Sequence, residues 1–572
     1  MLRDGEGRDG EERDGEERDL RSVILLCLVP VSALLCLTEL STFQLGKAVL
    51  VGPLLAVLLV GGGTGAGWLR RPVLGAALCV ILFGVLALLH SPSPGVGAWE
   101  LWLDLLFLGA VIAGTRLGTN GPGRVLVGIA GAGAALVVVT ALEAVGVGPL
   151  CPAAVSKAGT MGNPNFTGAV LALAAPASLA LALDARRGGA AAAWSGLALA
   201  GLGAIASLGS WTGAIGAGLG LAAVGIHALV RRGRPRIALA VGLLLLFTMG
   251  GALTSEIVRG HLADRWYMAR VSASAASEEV LAGHGLGGFP RAFMDAQAGI
   301  LERSVHERGR WTRALHAHSE PMHAFVERGL GGLLAWLTLW IAIGWILLRR
   351  AGVPGITGVL VAGFSLSLGE FPGHLVPVQL ALGLAVGGAV LGGNRPVDGP
   401  PTGRVGAEAP PTGDGWRHLV WLLAIPLFLV PPWLALSDRA LNRGDPAEAL
   451  RINPWNGHAA FAVALAEQDG TAPTGCAHAR LGEQLLPSPA SAMALGLCAA
   501  RRSQLEEGIA ALRRAARWNP RNASAHANLA ILLLEAGDLE GARSHAIRAA
   551  SLRPGDPRIQ RIIDVVPDPT IE

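Results

Sequence analysis

The chain has 572 residues, of which 52% are hydrophobic and only 15% are charged, whereas soluble domains carry roughly 25% charged residues. Because so few charged side chains cannot cover a soluble surface, most of the chain is expected to lie in lipid. The apolar content also excludes a disordered chain, and six cysteines in this length exclude a disulfide-rich secreted scaffold. The net charge of +4 gives no reason to expect a nucleic-acid partner.

The first 21 residues repeat a short theme of Arg, Asp, Gly and Glu. Such a composition cannot repay the entropy of ordering, so residues 1–21 are predicted to form a disordered cytoplasmic tail. Lysine occurs only at Lys47 and Lys157, and neither lies in a phosphate-binding loop before Ser or Thr. The absence of this motif argues against an ATP-driven pump.

Thirteen apolar stretches follow the tail, each near the ~20 residues that span a bilayer. They are predicted at 22–40, 45–63, 72–90, 101–117, 124–147, 166–184, 192–209, 211–230, 237–257, 323–348, 353–371, 373–392 and 417–437. Gly and Ala recur in these stretches, as expected where helices pack closely in lipid. The predicted fold class is all-α: a polytopic transmembrane bundle of about 12 to 13 spans over residues 22–392 and 417–437.

The charges between the stretches predict their orientation. With a cytoplasmic N-terminus, the short outside connections carry only Lys47 and Lys157. The inside connections carry the arginines, as the positive-inside rule requires: Arg70, Arg71, Arg116, Arg124, Arg186, Arg187, Arg231, Arg232, Arg234, Arg236, Arg349, Arg350, Arg395 and Arg404. This topology predicts a cytoplasmic linker at 393–416, and it predicts that the loop 258–322 and everything after residue 437 lie outside.

Residues 438–565 change to alternating polar and Ala/Leu helical patterns. Pro454, Pro487, Pro520 and Pro554 are 33, 33 and 34 residues apart, and each is predicted to close a helix. The last full unit, Asn522 to Pro554, resembles a tetratricopeptide repeat, with small residues where paired helices touch. Such an array either offers a surface to a protein partner or packs on the membrane domain.

The cysteines are interpreted mainly as packing residues. Cys27, Cys36 and Cys79 fall inside predicted spans, where free thiols behave as small hydrophobes. Cys476 is expected near the start of a repeat's second helix and Cys498 near the end of the following helix. A disulfide and two unpaired thiols remain alternatives for these two residues.

Three outside clusters carry the residues that could perform chemistry. The first, Gly159 to Phe166, is interpreted as a turn that caps the sixth span with Asn165 as N-cap. The second runs from Arg265 through Arg270 to the glycine-rich turn Gly283–Phe289. Its arginines and turn amides could bind phosphate, although for the glycines alone an amphipathic helix followed by a loop is the simpler interpretation.

The third cluster is the densest, with His316, His318, Glu320 and His323 followed by Glu327. These side chains could be metal ligands, acid–base groups or solvated loop residues. No second Cys/His pair at zinc spacing accompanies them, so no metal is predicted. Ionisable residues at a membrane boundary are costly unless they are used, and a histidine can act there as a general base.

In their order and sidedness, the three clusters resemble the O-antigen ligase/polymerase superfamily. The matching residues are the turn Asn163–Asn165, the segment Arg265–Phe289, and His318-Ser319 followed by Glu327 and Gly329. The resemblance covers roughly residues 20–395; Ser319 departs from it, because Asn is common there. It implies a metal-independent, cofactor-free glycosyltransferase of the bacterial inner membrane, with a periplasmic repeat domain.

The resemblance also implies the substrates and the residues that bind them. The donor would be a polyprenyl-diphosphate-linked glycan, and the acceptor a hydroxyl of a glycan, lipid or protein. Arg265 and Arg270 would neutralise the diphosphate, with Arg310 and Arg313 as helpers. Asn163 and Asn165 complete the predicted substrate-binding residues.

Three residues receive catalytic roles from the same resemblance. His318 would take the proton from the acceptor hydroxyl as the hydroxyl attacks the anomeric carbon, and His316 is the competing candidate. Glu327 would orient a histidine or an arginine.

Two other functions remain open at this point. A secondary transporter would fit the number of spans, but transporters place polar groups near the membrane midplane. The spans here hold few such groups, and Asp104, Glu143 and Glu370 are assigned to span ends or to packing. A noncatalytic assembly scaffold, in which only the repeats act, is the second alternative.

Overall fold

A computed structural model describes residues 20, 22–37, 40, 43–60, 72–117, 120–148, 151, 158–242, 256–349, 353–391, 415–467 and 476–565. Across these ranges the chain forms helices, turns and loops, without a strand. The predicted cytoplasmic tail and linker lie almost entirely outside the described residues.

The helices of the apolar region follow the predicted stretches closely. In chain order they are α1 Ser22–Leu34, α2 Phe43–Val60, α3 Pro72–Leu88, α4 Pro94–Gly114, α5 Gly121–Ala144, α6 Pro164–Asp184, α7 Gly188–Leu208, α8 Trp211–Arg231, α9 235–242, α10 Glu256–Glu278, α11 Phe289–Arg303, α12 Glu320–Arg349, α13 Pro354–Gly369, α14 Val376–Leu391 and α15 Gly415–Asn442. The ninth predicted stretch, 237–257, is described only as far as residue 242 and from residue 256.

By length and composition, seven helices within the described part of the chain could cross a membrane: α4 to α8, α12 and the part of α15 from His418. Helices α1, α2, α3, α13 and α14 are apolar but shorter. The crossing itself, and the count of about 12 to 13 spans, stay predictions.

Small residues allow the bundle helices to approach closely, as predicted. A Cβ added at Gly114 of α4 would lie 2.7 Å from the carbonyl oxygen of Leu384 in α14, and one added at Gly220 of α8 would lie 2.8 Å from that of Gly358 in α13. No side chain fits at either position without moving the backbone. These glycines therefore bring each helix pair to main-chain contact, as in lipid-embedded bundles.

The insertion 258–322, predicted as a loop, is mostly helical and has its own core. Helices α10 and α11 and a 3₁₀ turn at Val305–Arg310 make up most of it. Tyr267 and Val271 on α10 pack with Phe289 and Phe293 on α11, and all four are buried. Tyr267 and Val271 are four residues apart on α10, as are Phe289 and Phe293 on α11, so each helix presents both of its residues on one face.

The C-terminal helices form consecutive pairs. They are α16 Pro446–Ile452, α17 Gly457–Ala466, α18 Ala477–Leu485, α19 Pro489–Arg501, α20 Leu505–Trp518, α21 Ala523–Glu535, α22 Leu539–Leu552 and α23 Pro557–Val565. Each of the four predicted closing prolines, Pro454, Pro487, Pro520 and Pro554, stands two residues after a helix ends. This prediction is confirmed.

The repeat helices pack on the insertion through α20. The Trp518 indole nitrogen donates to Asp295 Oδ1 at 2.6 Å, and Arg517 pairs with Glu302 at 2.7 Å. Met294 of α11 lies in the same buried cluster as Leu512. Of the two alternatives for the array, packing on the rest of the chain is therefore present in the structure.

Two disulfides join four of the six described cysteines. Cys476 and Cys498 are bonded, with Cα atoms 5.8 Å apart, which resolves the alternative that the sequence left open. Cys36 is bonded to Cys151, with Cα atoms 6.3 Å apart. The interpretation of Cys36 as a packing residue inside a span was wrong, because α1 ends at Leu34 and Cys36 lies beyond it.

Candidate functional site

One end of the bundle gathers charged side chains around a buried carboxylate, Glu370. Arg265 Nη2 lies 2.6 Å from Glu370 Oε1, and His318 Nδ1 lies 3.1 Å from Glu370 Oε2. The Glu370 side chain is 6% exposed, whereas about a third of Arg265 and of His318 is exposed. We call these three residues the Glu370 site.

The fold positions each member of the Glu370 site at the end of an element. Glu370 follows α13 directly, and its N–H donates to Leu366 at 2.8 Å. Thr212, in the first turn of α8, donates to Glu370 Oε1 at 3.4 Å. His318 has φ 51°, a left-handed conformation that is uncommon for a non-glycine residue and that clusters at functional sites.

This arrangement suits general-base chemistry. A carboxylate that accepts the Nδ1 proton of an imidazole fixes its tautomer and orientation, which leaves Nε2 to accept a proton from a substrate. The partial exposure of His318 and Arg265 gives a substrate access to both. Sequence reasoning did not assign Glu370 to the site, since nothing nearby in the chain links it to His318.

Glu327 lies apart from His318. Its Oε1 accepts the Phe289 amide at 3.0 Å, and its Oε2 lies 3.4 Å from His323 Nε2. The structure therefore joins Glu327 to a histidine, but to His323 and not to the predicted base. The Glu327 side chain is 1% exposed. Its hydrogen bond to the first residue of α11 links α11 to α12.

The glycine-rich turn is bound by the main chain of α12. The amides of His284 and Gly285 donate to Val326 and Glu327 at 2.8 and 3.0 Å. Gly329 breaks the helix with φ 64° and ψ −165°, and a Cβ there would clash with the Leu281 carbonyl. Since α12 takes these two amides, they are not available to a phosphate.

The structure brings one of the four predicted arginines, Arg265, to His318. Arg270 pairs with Glu307 and stacks on Tyr267, where its guanidinium lies 5.7 Å from the ring centroid. The guanidinium of Arg310 lies 6.0 Å from the same ring.

The fourth predicted arginine, Arg313, is exposed in the segment before α12. Arg270 and Arg310 are exposed as well. These three residues lie in the insertion, outside the Glu370 site.

The turn before α6 caps the helix, but with a different residue from the predicted one. Asn163 is the N-cap, and its Oδ1 accepts the Asn165 amide at 2.8 Å. Asn165 was wrongly predicted as the cap, because Pro164 occupies the first helical position, which favours proline. Phe166 then packs edge-on against Phe371, with ring centroids 5.4 Å apart, so the turn borders the Glu370 site.

A second, buried group lies beside Phe371. We call Glu100, His316, His323 and His374 the His–Glu cluster; their nearest ligating atoms all lie within 4.8 Å of one another. The Phe371 ring contacts both this cluster and the Glu370 site, since its centroid lies 4.6 Å from the His316 ring and 5.0 Å from the His318 ring.

Three separate segments supply the His–Glu cluster. Glu100 lies on α4, His323 on α12, and His374 in the connection between α13 and α14; His316 precedes α12. Glu100 Oε1 lies 3.6 Å from His323 Nε2 and 3.9 Å from His374 Nε2. Sequence reasoning missed Glu100 and His374, whose one shared signal is a position at the predicted outer end of a span.

His316 is neutral in this environment. Burial lowers the pKa of its imidazole well below the usual range, and the neighbouring His374 and His323 lower it further. A carboxylate orients His318, and about a third of its side chain is exposed, so His318 is the better placed of the two predicted bases.

A cavity of about 100 Å³ extends from the His–Glu cluster into the bundle. Asp104 and Arg328, 2.8 Å apart, lie on its wall. Trp336, Leu339 and Ile343 of α12 line its apolar part. The cavity therefore joins a charged mouth to an apolar interior.

Comparison with known proteins identifies the repeats. Residues 499–563 match the tetratricopeptide repeat family, which confirms the predicted repeats over that range. No curated protein matches the chain. Among solved structures, the chain is similar to the crystal structure of the APC/C hetero-tetramer Cut9-Hcn1, with 13% identity, coverage of 83% of this chain and 93% of that one, and a TM-score of 0.22. A TM-score this low does not establish a common fold.

Proposed function

We propose that this protein is an integral membrane glycosyltransferase. It would transfer or polymerise a glycan from a polyprenyl-diphosphate-linked donor onto a hydroxyl acceptor, at the outer face of a bacterial inner membrane. The observation that carries the proposal is the convergence of Arg265 and His318 on Glu370. These residues come from distant segments, and all three are predicted to lie on the outer side.

The exposed faces of the apolar helices support a membrane location. Within the 18-residue apolar stretch of α7 only 22% of the residues are buried, and within that of α12 only 33% are buried. Leu199 and Ile341 are each 70% exposed and Leu348 is 85% exposed. Apolar faces of this extent are rarely exposed to water in a soluble protein, and a lipid bilayer would bury them for helices of this length.

The cysteines support the predicted sidedness. Cys151, Cys476 and Cys498 lie in segments predicted to be outside, and Cys36 lies near the outer end of the first predicted span; all four are in disulfides. Cys27 and Cys79, inside predicted spans, are free thiols. Disulfides persist in oxidising compartments such as the bacterial periplasm, so their distribution agrees with a periplasmic site and repeat array.

The chemistry follows from the charges in the Glu370 site. The acceptor oxygen attacks the anomeric carbon while His318 Nε2 takes its proton, and the bond from that carbon to the polyprenyl diphosphate breaks. The diphosphate leaves with the bonding electron pair, and Arg265 stabilises its negative charge. Glu370 orients the imidazole and stabilises its positive charge after proton transfer.

The alternatives fit the described residues less well. A transporter would place unpaired polar groups within its spans, yet Asp104 pairs with Arg328, and Glu143 accepts the Gly159 amide at 3.0 Å. A noncatalytic scaffold would not need a histidine held in a left-handed conformation against a buried carboxylate.

The test is transfer in vitro by the full-length protein in proteoliposomes, with a defined lipid-linked oligosaccharide and a panel of hydroxyl acceptors. We expect His318→Ala to slow transfer by about 10²–10⁴-fold, the usual contribution of a general base. The matched control is His545→Ala in the repeat array, which should transfer at the wild-type rate. Unchanged transfer by a well-folded His318→Ala protein would exclude the proposed mechanism, and solute uptake without transfer would favour the transporter.

A further inference from the structure

We propose that the His–Glu cluster binds one divalent transition-metal ion of the zinc class, in a structural role. Glu100 Oε1 lies 3.6 Å from His323 Nε2 and 3.9 Å from His374 Nε2. Ligands that bind a tetrahedral ion at 2.0–2.1 Å stand about 3.4 Å apart. These two separations are a few tenths of an ångström wider, and all four ligating atoms lie within 4.8 Å of one another, so side-chain movements would close the site around an ion.

Unpartnered buried atoms point to an occupant. Among the described residues, Glu100 Oε2, His316 Nδ1, His374 Nδ1 and both ring nitrogens of His323 have no hydrogen-bond partner. Glu100 and His323 are 4% and 5% exposed. Because a buried polar atom without a partner costs about 1–3 kcal/mol, several in one place need an explanation. A metal ion would take one ligand atom from each of the four residues and so satisfy part of this set.

The ligand chemistry selects the class of ion. Three imidazoles and one carboxylate suit Zn²⁺ and related transition metals, whereas Mg²⁺ and Ca²⁺ prefer sites made of oxygen ligands. Glu320 lies 3.6 Å from His374 Nδ1 and accepts the Gly373 amide at 2.7 Å. A carboxylate behind a ligating histidine, which directs the other ring nitrogen inward, is usual in metal sites.

The ion would tie three segments together at the mouth of the bundle. His316 stands two residues before His318, and His374 stands four residues after Glu370. Because four protein ligands complete a tetrahedral shell, the ion has no open position for catalysis. It would instead hold the two segments that carry His318 and Glu370. Metal binding here is separate from glycan transfer, so either proposal can fail alone.

The experiment measures metal content in the full-length protein, purified in detergent through a tag without histidine. Elemental analysis follows incubation with Zn²⁺ and exhaustive dialysis against metal-free buffer. We expect about one Zn²⁺ per chain in the wild type. The Glu100→Gln/His374→Phe double variant should hold at least tenfold less, whereas His318→Ala and His545→Ala should keep the full amount.

A second measurement covers the case in which the double variant fails to fold. The wild-type protein is loaded with Co²⁺, and its visible absorption is compared with that of the single Glu100→Gln variant, after size exclusion shows that both are monodisperse. The site is supported if the wild type shows a tetrahedral Co²⁺ spectrum and the Glu100→Gln variant shows a different one. Two results overturn the proposal: wild-type protein that retains no Zn²⁺ after dialysis, or a Glu100→Gln/His374→Phe protein that retains the wild-type amount.

Discussion

The repeat array and the mouth of the bundle are built by different rules. In the array, neighbours in sequence form each feature: Asn522 caps α21 through the Ala525 amide at 3.2 Å, and Asp538 caps α22 through the Gly541 amide at 2.9 Å. At the bundle mouth, Arg265, His318 and Glu370 come from three distant segments. Local capping can be read from a short stretch of sequence, whereas convergence of distant segments cannot.

The two regions also use charge differently. The array has exposed ion pairs such as Arg480 with Glu507 at 2.6 Å, and pairs of that kind contribute little stability. The bundle mouth keeps carboxylates and imidazoles buried, where they are costly unless they serve a function. Substitutions in the array should therefore change stability, and substitutions at the mouth should change activity.

After His318→Ala, the largest expected effect on activity comes from Glu370→Gln, which keeps the shape of the side chain and removes its charge. The variant loses the anion that orients His318 and pairs with Arg265, so we expect transfer to slow by about 10–100-fold. Initial rates in proteoliposomes measure the effect. Glu483→Gln is the matched control, because Glu483 is an equally buried carboxylate that pairs with Arg514 at 2.6 Å within the array. Equal rates for the two variants would remove the contrast between the regions.

The next effect is on stability, through Trp518→Ala. Trp518 is 1% exposed and donates to Asp295, so it links the array to the insertion. Removing a buried tryptophan costs about 3–5 kcal/mol, and hydrogen exchange in α20 and α21 should rise accordingly. Trp266→Ala serves as the control, since Trp266 is 72% exposed. Similar exchange in both variants would show that the array does not depend on this contact.

A slightly smaller loss is expected when the Cys476–Cys498 bond is removed. The bond closes a segment of 22 residues, and a loop of that length corresponds to about 3 kcal/mol of stabilisation. The Cys476→Ser/Cys498→Ser protein should unfold at a lower denaturant concentration than Cys27→Ser, in which a free thiol is replaced. Identical unfolding midpoints would contradict the expected role of the bond.

The smallest effect is a pH dependence of the array. Burial, with help from His545 and Arg548, lowers the pKa of His526 to about 4, whereas the unfolded chain binds this proton near pH 6.5. The unfolded state therefore binds more protons between these values, and stability falls as the pH falls through this window. We expect a loss of about 1.4 kcal/mol at pH 5.5 from this residue.

Thermal unfolding of the full-length protein at pH 7.5 and 5.5 checks the pH effect. His526→Phe keeps an aromatic ring and removes the titration, so this variant should lose less stability on acidification than the wild type. An equal loss in the two proteins would assign the pH dependence to other groups.

Sequence patterns located much of the fold, because they depend on local physics. The closing prolines lie two residues beyond the helix ends, and residues 499–563 match the predicted repeat family. Apolar stretches predicted most helix bounds, since each hydrophobic run is continuous along the chain. The insertion was predicted as a loop because its two helices, α10 and α11, are polar overall and bury their apolar faces on each other, which a hydropathy pattern does not detect.

The sequence alone indicated the apolar helices and the repeats through composition and periodicity, and the family resemblance singled out His318 and Arg265 as candidate residues. Only the tertiary structure decided that Glu370 joins these two residues, that Glu327 contacts His323, and that Glu100 and His374 meet His316. The physical reason is that helix packing sets which ends of distant segments become neighbours, and no local pattern in the chain records that choice.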